Sequence, residues 1–369
     1  MELNRRDFGK LAVAAAAAPA GTMLAAKPDS TFDGVRIGTI TYSYRGEPNG
    51  AANMAEPLLK MIVDSGISNI ELMPPAAEAY AGSPAPAQGG GGGGARGGRG
   101  GSGGLGMGPG GPGGPGGGGR GGSGGRGGGG GGFGRMQMTP EQQEAAAKQA
   151  AILKDWRLSV SMSKFEEFRK MYNDAGVSIY CHKLTAPNAN VSDEEFDYFF
   201  RVAAALGAKQ VSLELPTEPN AFSQKLGDKA LKHGMVAAYH AHEQATITAW
   251  DGVLAQSKGN AINLDCGHYY AGTGLSPVPV LLKLHDRIAS VHLKDRTPTV
   301  KDADGKTVTA GANLPWGQGS TPIADILQTM RKNKYTFPAS IELEYQVPAD
   351  SNAVIEVKKC MEYCKKALA

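Results

Sequence analysis

The stretch AINLDCGHYY, residues 261–270, joins a short apolar run to an aspartate and, three residues later, a histidine. Ile262 and Leu264 suit a buried strand, but Asp265 at its end needs a partner because an unpaired buried carboxylate is very costly. That partner is either a neighbouring side chain or a metal ion. The stretch therefore predicts a buried strand with a functional group at its carboxyl end.

Eight strand-like runs of this kind alternate with helical stretches along the chain. The runs cover residues 35–42, 67–73, 177–184, 210–215, 235–240, 261–265, 288–293 and 339–344. The helical stretches cover residues 51–65, 140–175 (one or two helices), 193–206, 223–232, 249–257, 277–286, 322–332 and 352–368. Eight alternations of strand and helix predict an α/β fold, the closed (β/α)8 TIM barrel.

Local signals support three of these helices. Ser192, Thr321 and Ser351 each precede a helical stretch and are predicted to be N-caps, and Gly207 is predicted to end the helix that Ser192 begins. One face of that helix is apolar, as packing against a sheet requires. Its members are Phe196, Phe199, Phe200, Ala203 and Leu206.

Residues 89–134 interrupt the alternation, since 33 of these 46 residues are glycine. Such a segment buries too little apolar surface to offset its ordering entropy, so it is predicted to be a disordered insertion after the second strand. Its arginine and glycine repeats resemble RNA-binding segments, but only Phe133 supplies an aromatic ring. We interpret it as a tolerated loop expansion.

The first 26 residues contain Arg5 and Arg6 before Phe8 and a weakly apolar, alanine-rich run. They resemble a twin-arginine export signal, which predicts a barrel domain of residues 27–369 in the periplasm or outside the cell. The apolar run is shorter than the roughly 20 residues of a spanning helix, so no membrane association beyond export is expected.

The overall charge bears on partners. A formal net charge of +3 gives no reason to expect nucleic acid or an anionic membrane as a partner. A small-molecule substrate is expected instead. The sequence leaves the oligomeric state open.

The strand ends concentrate groups that can do chemistry. In a TIM barrel the functional side chains come from the carboxyl ends of the strands, and here five successive strands end in carboxylate or imidazole. Read in chain order, the candidates are Glu71, His182, Lys183, Glu214, His240, His242, Asp265, His268, His292, Lys294, Glu342 and Glu344.

Carboxylate and imidazole groups together suit a divalent ion such as Mn²⁺, Co²⁺, Zn²⁺ or Mg²⁺. Asp265, His292 and Glu342 are the predicted ligands. Glu344 shares a strand face with Glu342, so the choice between these two stays open, with Glu342 preferred. Glu71 and Lys183 are interpreted as residues of the rim that contact substrate.

Five motifs carry a resemblance to a known family. They are YHAH (239–242), LDCGHYYAG (264–272), SVHLKD (290–295), WGQGSTPIADIL (316–327) and IELEY (341–345). In this order they resemble the sugar phosphate isomerase/epimerase superfamily, the xylose isomerase-like TIM barrels. The resemblance covers the chain from Val35 to its end, apart from the glycine-rich insertion.

The resemblance implies a sugar or keto-sugar substrate and a divalent metal bound by strands five to eight. It assigns Asp265, His292 and Glu342 to the metal and His268 to substrate. At strand five the chain departs from the epimerases, because His240 replaces their glutamate ligand and base. Whether His240 or Glu214 supplies the fourth ligand is left open.

The predicted reaction is proton abstraction next to a carbonyl, as in an isomerase or epimerase. Glu342 is the candidate base, His240 or Glu214 the opposing group, and Lys294 a contact for a substrate oxygen. The remaining predicted substrate contacts are His268, His242, Glu71, Lys183 and Glu344. Two alternatives are a lyase that eliminates a group β to the carbonyl, and a sugar-binding barrel without catalysis.

Overall fold

The computed structural model describes residues 27–84, 139–184 and 191–369. The chain divides into two compact units, residues 1–82 with 161–369 and residues 83–160, each described here by itself within these limits. The predicted export signal and the predicted glycine-rich insertion lie outside the described residues.

The first unit contains eight parallel strands that close into a barrel, which confirms the predicted TIM fold. Each strand pairs with the next, and the last pairs with the first. In chain order the strands are β1 Val35–Ile40, β2 Asn69–Leu72, β3 Ser178–Lys183, β4 Gln210–Glu214, β5 Val236–His240, β6 Asn260–Asp265, β7 Ile288–Leu293 and β8 Ala339–Ile341.

The described residues also form helices. They are α1 Ala55–Asp64, α2 Pro74–Tyr80, α3 Pro140–Ser159, α4 Ser163–Asp174, α5 Asp193–Ala205, α6 Ala221–Lys232, α7 Asp251–Gln256, α8 Cys266–Thr273, α9 Val278–Leu284, α10 Ile323–Asn333 and α11 Ala353–Leu368. The second unit holds α3 and the first unit holds the others. Within the described ranges, none of these helices has the length and apolarity to span a membrane.

Helix α5 forms as its sequence predicts. The Ser192 hydroxyl accepts from the Glu195 amide, and the Glu195 carboxylate accepts from the Ser192 amide, so the two residues make a capping box. The left-handed Gly207, at φ 80°, follows the end of the helix. All five residues of the predicted apolar face are buried.

The other two predicted caps are wrong because their hydroxyls have different partners. Helix α10 begins after Pro322, and Thr321 Oγ1 accepts from the Arg296 amide instead. Helix α11 is capped by Asn352, whose side chain accepts from the Ile355 amide at 2.9 Å. Ser351 donates to Glu356.

Glu356 is buried in the first turn of α11, with three donors around its carboxylate. Tyr345 Oη, Ser351 Oγ and Lys359 Nζ lie 2.7, 2.5 and 2.7 Å from its oxygens. Burial by itself would raise the pKa of Glu356, but the bonds from Lys359, Ser351 and Tyr345 outweigh burial and lower it.

We expect Glu356→Gln to lower the free energy of unfolding by about 1.5–3 kcal/mol, because a buried hydrogen-bonded charge is lost. Since the folded pKa is depressed, the stabilisation is complete above the ordinary glutamate pKa of about 4.3 and disappears as the pH falls below it. Urea unfolding between pH 3.5 and pH 7 measures both effects. A variant as stable as wild type at pH 7 would contradict the prediction.

Candidate metal and active site

Four buried side chains at the carboxyl ends of β5, β6, β7 and β8 converge at the mouth of the barrel. One ligand atom from each of His240, Asp265, His292 and Glu342 lies within 4.8 Å of the others. The sequence named all four as candidate ligands. We call this group the ligand tetrad.

His292 presents one ring nitrogen to the tetrad and turns the other away from it. Nδ1 lies 2.9 Å from Glu342 Oε2, and Nε2 lies 2.8 Å from Glu71 Oε2. Glu71 also accepts from Ser212 Oγ at 2.5 Å and from Asn263 Nδ2 at 3.3 Å. With no exposed surface, Glu71 lies behind His292 and not at the rim, where its place in the sequence put it.

The contact between Glu71 and His292 changes the pKa of both groups. Burial would raise the pKa of Glu71, but the charge of His292 outweighs burial and lowers it. Burial would lower the pKa of His292, but Glu71 and Glu342 raise it to about 10. Glu71 is therefore a carboxylate that makes the imidazole more basic.

His240, like His292, lies between two carboxylates, one on each ring nitrogen. Nε2 lies 3.2 Å from Asp265 Oδ2, and Nδ1 lies 3.1 Å from Glu214 Oε2. The other oxygen of Glu214 accepts from Lys183 Nζ at 2.9 Å. This geometry places His240 in the tetrad and Glu214 behind it. A second possible set, Glu214 with His240 and His242, shares His240 and is more exposed.

Lys294 contacts three carboxylates at the end of β7. Its ammonium lies 3.0 Å from Asp265, 2.9 Å from Glu342 and 2.8 Å from Glu344. Burial would lower the pKa of Lys294, but Asp265 and the two glutamates outweigh burial and raise it. Gly267 allows this packing, because a Cβ there would lie 2.7 Å from the Lys294 carbonyl oxygen.

His268 lies in the first turn of α8, a helix that the sequence reading treated as a loop. The Asp265 carboxylate caps this helix by accepting from the His268 amide at 2.7 Å. Asp265 thus has side-chain and backbone partners as well as a place in the tetrad. The sequence signals for this helix were Asp265 as its N-cap and Gly274, nine residues later, as the glycine that ends it.

Sequence reasoning named His242, which lies beside His268, but missed Arg296 and Glu243. Arg296 donates from one terminal nitrogen to His268 Nδ1 at 2.7 Å and from the other to Glu243 at 2.8 Å. His242 packs edge-on against His268, with ring centroids 4.6 Å apart. Arg296 follows directly on the motif SVHLKD, but no sequence spacing shows that it reaches back to α8.

The tetrad fits a divalent ion on chemical grounds. It mixes imidazole with carboxylate, as open sites for Mn²⁺, Co²⁺, Zn²⁺ and Mg²⁺ do. Each histidine also has a carboxylate on its far ring nitrogen, the usual partner of a metal-bound imidazole. His240 would bind through Nε2 and His292 through Nδ1.

Comparison with known families agrees with this geometry. A family model described as xylose isomerase-like TIM barrel matches residues 132–364. The chain belongs to this family. Its members are enzymes, and those similar to this chain include dehydratases and an epimerase.

Curated relatives of the family match part of the chain. An inosose dehydratase from Clostridium botulinum (strain Alaska E43 / Type E3) is 32% identical over 154 residues, which cover 38% of this chain and 51% of that protein. A second inosose dehydratase, from strain Eklund 17B / Type B, matches equally. The chain spans about half the length of the curated relatives it matches.

Solved structures of the family match most of the chain. A probable 3-DHS dehydratase, AsbF from Bacillus anthracis, has a TM-score of 0.52 at 13% identity, with 89% of this chain and 98% of that chain covered. An L-ribulose 3-epimerase has a TM-score of 0.50 at 11% identity, with 90% and 94% covered. At these identities both show the fold alone.

The placement of Glu71 leads to a prediction. We expect Glu71→Gln to weaken divalent-metal binding by about 10- to 100-fold, because the neutral amide no longer makes His292 basic. Competition with a chelating dye at fixed pH measures this. Ser212→Ala is the matched control, because it removes a donor to Glu71 and keeps the charge. Wild-type affinity in Glu71→Gln would refute this role.

Proposed function

We propose that the protein is a metal-dependent lyase that removes water from a polyhydroxylated carbonyl compound. The observation that carries this proposal is the ligand tetrad flanked by two carboxylate–lysine pairs, Glu344 with Lys294 and Glu214 with Lys183. A divalent ion bound to the tetrad would polarise the substrate carbonyl and so acidify the neighbouring C–H bond.

Glu344 is the proposed base. Its side chain is 20% exposed, whereas those of Glu342 and Asp265 are 8% and 0% exposed and belong to the tetrad. The Lys294 ammonium orients Glu344 through an ion pair at 2.8 Å. Glu344 takes the proton next to the carbonyl, and the C–H electrons form the new double bond. This assignment replaces Glu342, the base that the sequence suggested.

The leaving hydroxyl needs a proton donor. Lys183 lies on β3 and is held by Glu214, whose side chain is 52% exposed. In the proposed reaction the Lys183 ammonium gives a proton to the hydroxyl β to the carbonyl, which departs as water with the C–O electron pair. Proton, electrons and leaving group then balance without another reactant.

An isomerase or epimerase is the second candidate, and one observation favours it. Glu214 ends β4 and Glu344 follows β8, and these strands are four apart around a closed barrel of eight. Two carboxylates on opposite sides of the mouth suit removal of a proton from one face of a carbon and its return on the other. His240 is not free for that task, because both its ring nitrogens have partners.

The comparisons support the lyase over the isomerase, which the sequence alone had favoured. The curated relatives are dehydratases at 32% identity, whereas the epimerase shares only the fold. We therefore propose a keto-polyol or keto-sugar as substrate.

We also propose export through the twin-arginine route, and cell fractionation of an Arg5→Lys, Arg6→Lys double variant tests it.

Proton exchange in D₂O separates the candidates. The metal-loaded protein is incubated with keto-polyols, ketoses and 3-keto-glycosides and followed by NMR. If the protein is a lyase, we expect loss of water, or of the aglycone from a 3-keto-glycoside, and an unsaturated carbonyl product. Deuterium next to the carbonyl together with a new isomer would establish the isomerase or epimerase. Binding without exchange on any compound would refute both and favour the sugar-binding barrel.

A further inference from the structure

The imidazole of His268 is directed into the mouth of the barrel by its neighbours. Its side chain is 10% exposed, and its Nε2 lies 3.8 Å from the carboxylate of the proposed base, Glu344. Among the residues that the structure describes, no group hydrogen-bonds to this nitrogen. Buried polar atoms in proteins are normally hydrogen-bonded. An unpaired ring nitrogen at the mouth of the barrel therefore indicates that a bound ligand supplies its partner atom.

The other ring nitrogen fixes where the proton resides. Arg296 NH1 lies 2.7 Å from His268 Nδ1, and a guanidinium has only donors. Nδ1 must therefore accept, so the single proton of the neutral ring is on Nε2.

Arg296 is held in this contact because its other terminal nitrogen makes two further hydrogen bonds. NH2 donates to Glu243 Oε1 at 2.8 Å and to the Gly311 carbonyl at 2.7 Å. Glu243 is fixed in turn by Thr299 Oγ1 at 2.8 Å. Arg296 itself is 4% exposed, so it is a support for His268 and not a surface residue.

We propose that Arg296 is a positioning residue that holds His268 in the Nε2–H form, so that this N–H donates to an oxygen of the substrate beside Glu344. The substrate group at this point is then a hydrogen-bond acceptor, a carbonyl or hydroxyl oxygen and not an ammonium group. This substrate contact rests on the proposed function, whereas the position of the proton does not.

The test compares two variants that differ in whether residue 296 can accept a hydrogen bond from Nδ1. Arg296→Lys and Arg296→Gln both lose the fork to Glu243 and Gly311. A lysine can only donate to Nδ1, but a glutamine can also accept and so permits a proton there. Protein labelled with ¹⁵N-histidine is studied without substrate by long-range ¹H–¹⁵N correlation, and His268→Gln identifies the His268 signals among the seven histidines.

Wild type and Arg296→Lys are expected to show an unprotonated Nδ1 and a protonated Nε2, and Arg296→Gln a mixture of both forms. On a substrate found by the exchange assay, Arg296→Gln is expected to reduce kcat by about 10²- to 10⁴-fold relative to Arg296→Lys, with similar KM, as a misplaced imidazole proton does. A protonated Nδ1 in wild type would overturn the proposal. So would equal tautomers and equal kcat in the two variants.

These readouts separate this proposal from the proposed function. If no compound in the panel reacts, the proposed function fails, but the tautomer spectra still decide whether Arg296 positions His268. If turnover is found and the wild-type spectra show Nδ1–H, the positioning role fails and the function stands. If one variant does not fold, the wild-type spectrum alone still decides the tautomer.

Discussion

Asp265→Asn is expected to abolish metal binding and turnover while the protein stays folded. Asparagine is also a good N-cap, so it can still accept from the His268 amide and start α8. What it loses is the charge. Burial would raise the pKa of Asp265, but Lys294, His268 and His240 together outweigh burial and lower it, so that Asp265 is ionised and available to a cation.

Asp265→Asn should weaken metal binding by more than the about 10- to 100-fold that is expected for loss of an outer partner such as Glu71. Equilibrium dialysis with elemental analysis measures metal per chain, and circular dichroism checks the fold. Asp295→Asn is the matched control, because Asp295 is also a buried aspartate, two residues beyond the end of β7, and lies outside the tetrad. Its carboxylate accepts from the amides of residues 317, 319 and 321. If Asp265→Asn binds metal as wild type does, the tetrad is not the metal site.

Glu344→Gln is expected to have the second large effect, a loss of about 10²- to 10⁴-fold in turnover with metal binding kept. The amide cannot take the proton next to the carbonyl, so deuterium exchange should stop as well. Metal binding survives because Glu344 is outside the tetrad. Lys294 keeps its contacts to Asp265 and Glu342, which limits the structural change.

Glu214→Gln is the matched comparison on the opposite side of the mouth. Glu214 also supports His240 of the tetrad, so both variants are assayed at saturating metal. Under that condition, in the lyase, Glu214→Gln should keep deuterium exchange and slow the formation of the unsaturated product, because Lys183 loses its charged partner. In an epimerase both variants should lose the new isomer, since each removes one of two bases. Full turnover in Glu344→Gln would show that Glu344 is not the base.

The barrel was predictable from the sequence because its signals are local. Eight apolar runs alternate with helical stretches, and each element can be read from its own residues, as α5 shows. The ends of elements were less certain. Strand β8 ends at Ile341 and not at residue 344, because Leu343 N–H donates to Ser43 Oγ near the other end of the chain.

The ligand candidates were predictable for a related reason. Parallel strands of a barrel place their carboxyl ends at one mouth, so the last residues of β5 to β8 had to meet there. Asp265 and His292 were named as ligands on this ground, and Glu342 was preferred over Glu344. The choice between His240 and Glu214 needed the structure, which brings His240 into the tetrad. The sequence therefore determined the fold class and the chemical types that gather at the mouth.

Only the tertiary structure decided which atom of each group faces which neighbour. Glu71 and His292 are 221 residues apart, and Arg296 meets His268 across 28 residues, so no spacing predicts either contact. These contacts assign Nδ1 of His292, Nε2 of His240 and the Nε2 proton of His268. The reason is physical: residue type follows from one position, but side-chain orientation follows from packing and hydrogen bonding among strands distant in the chain.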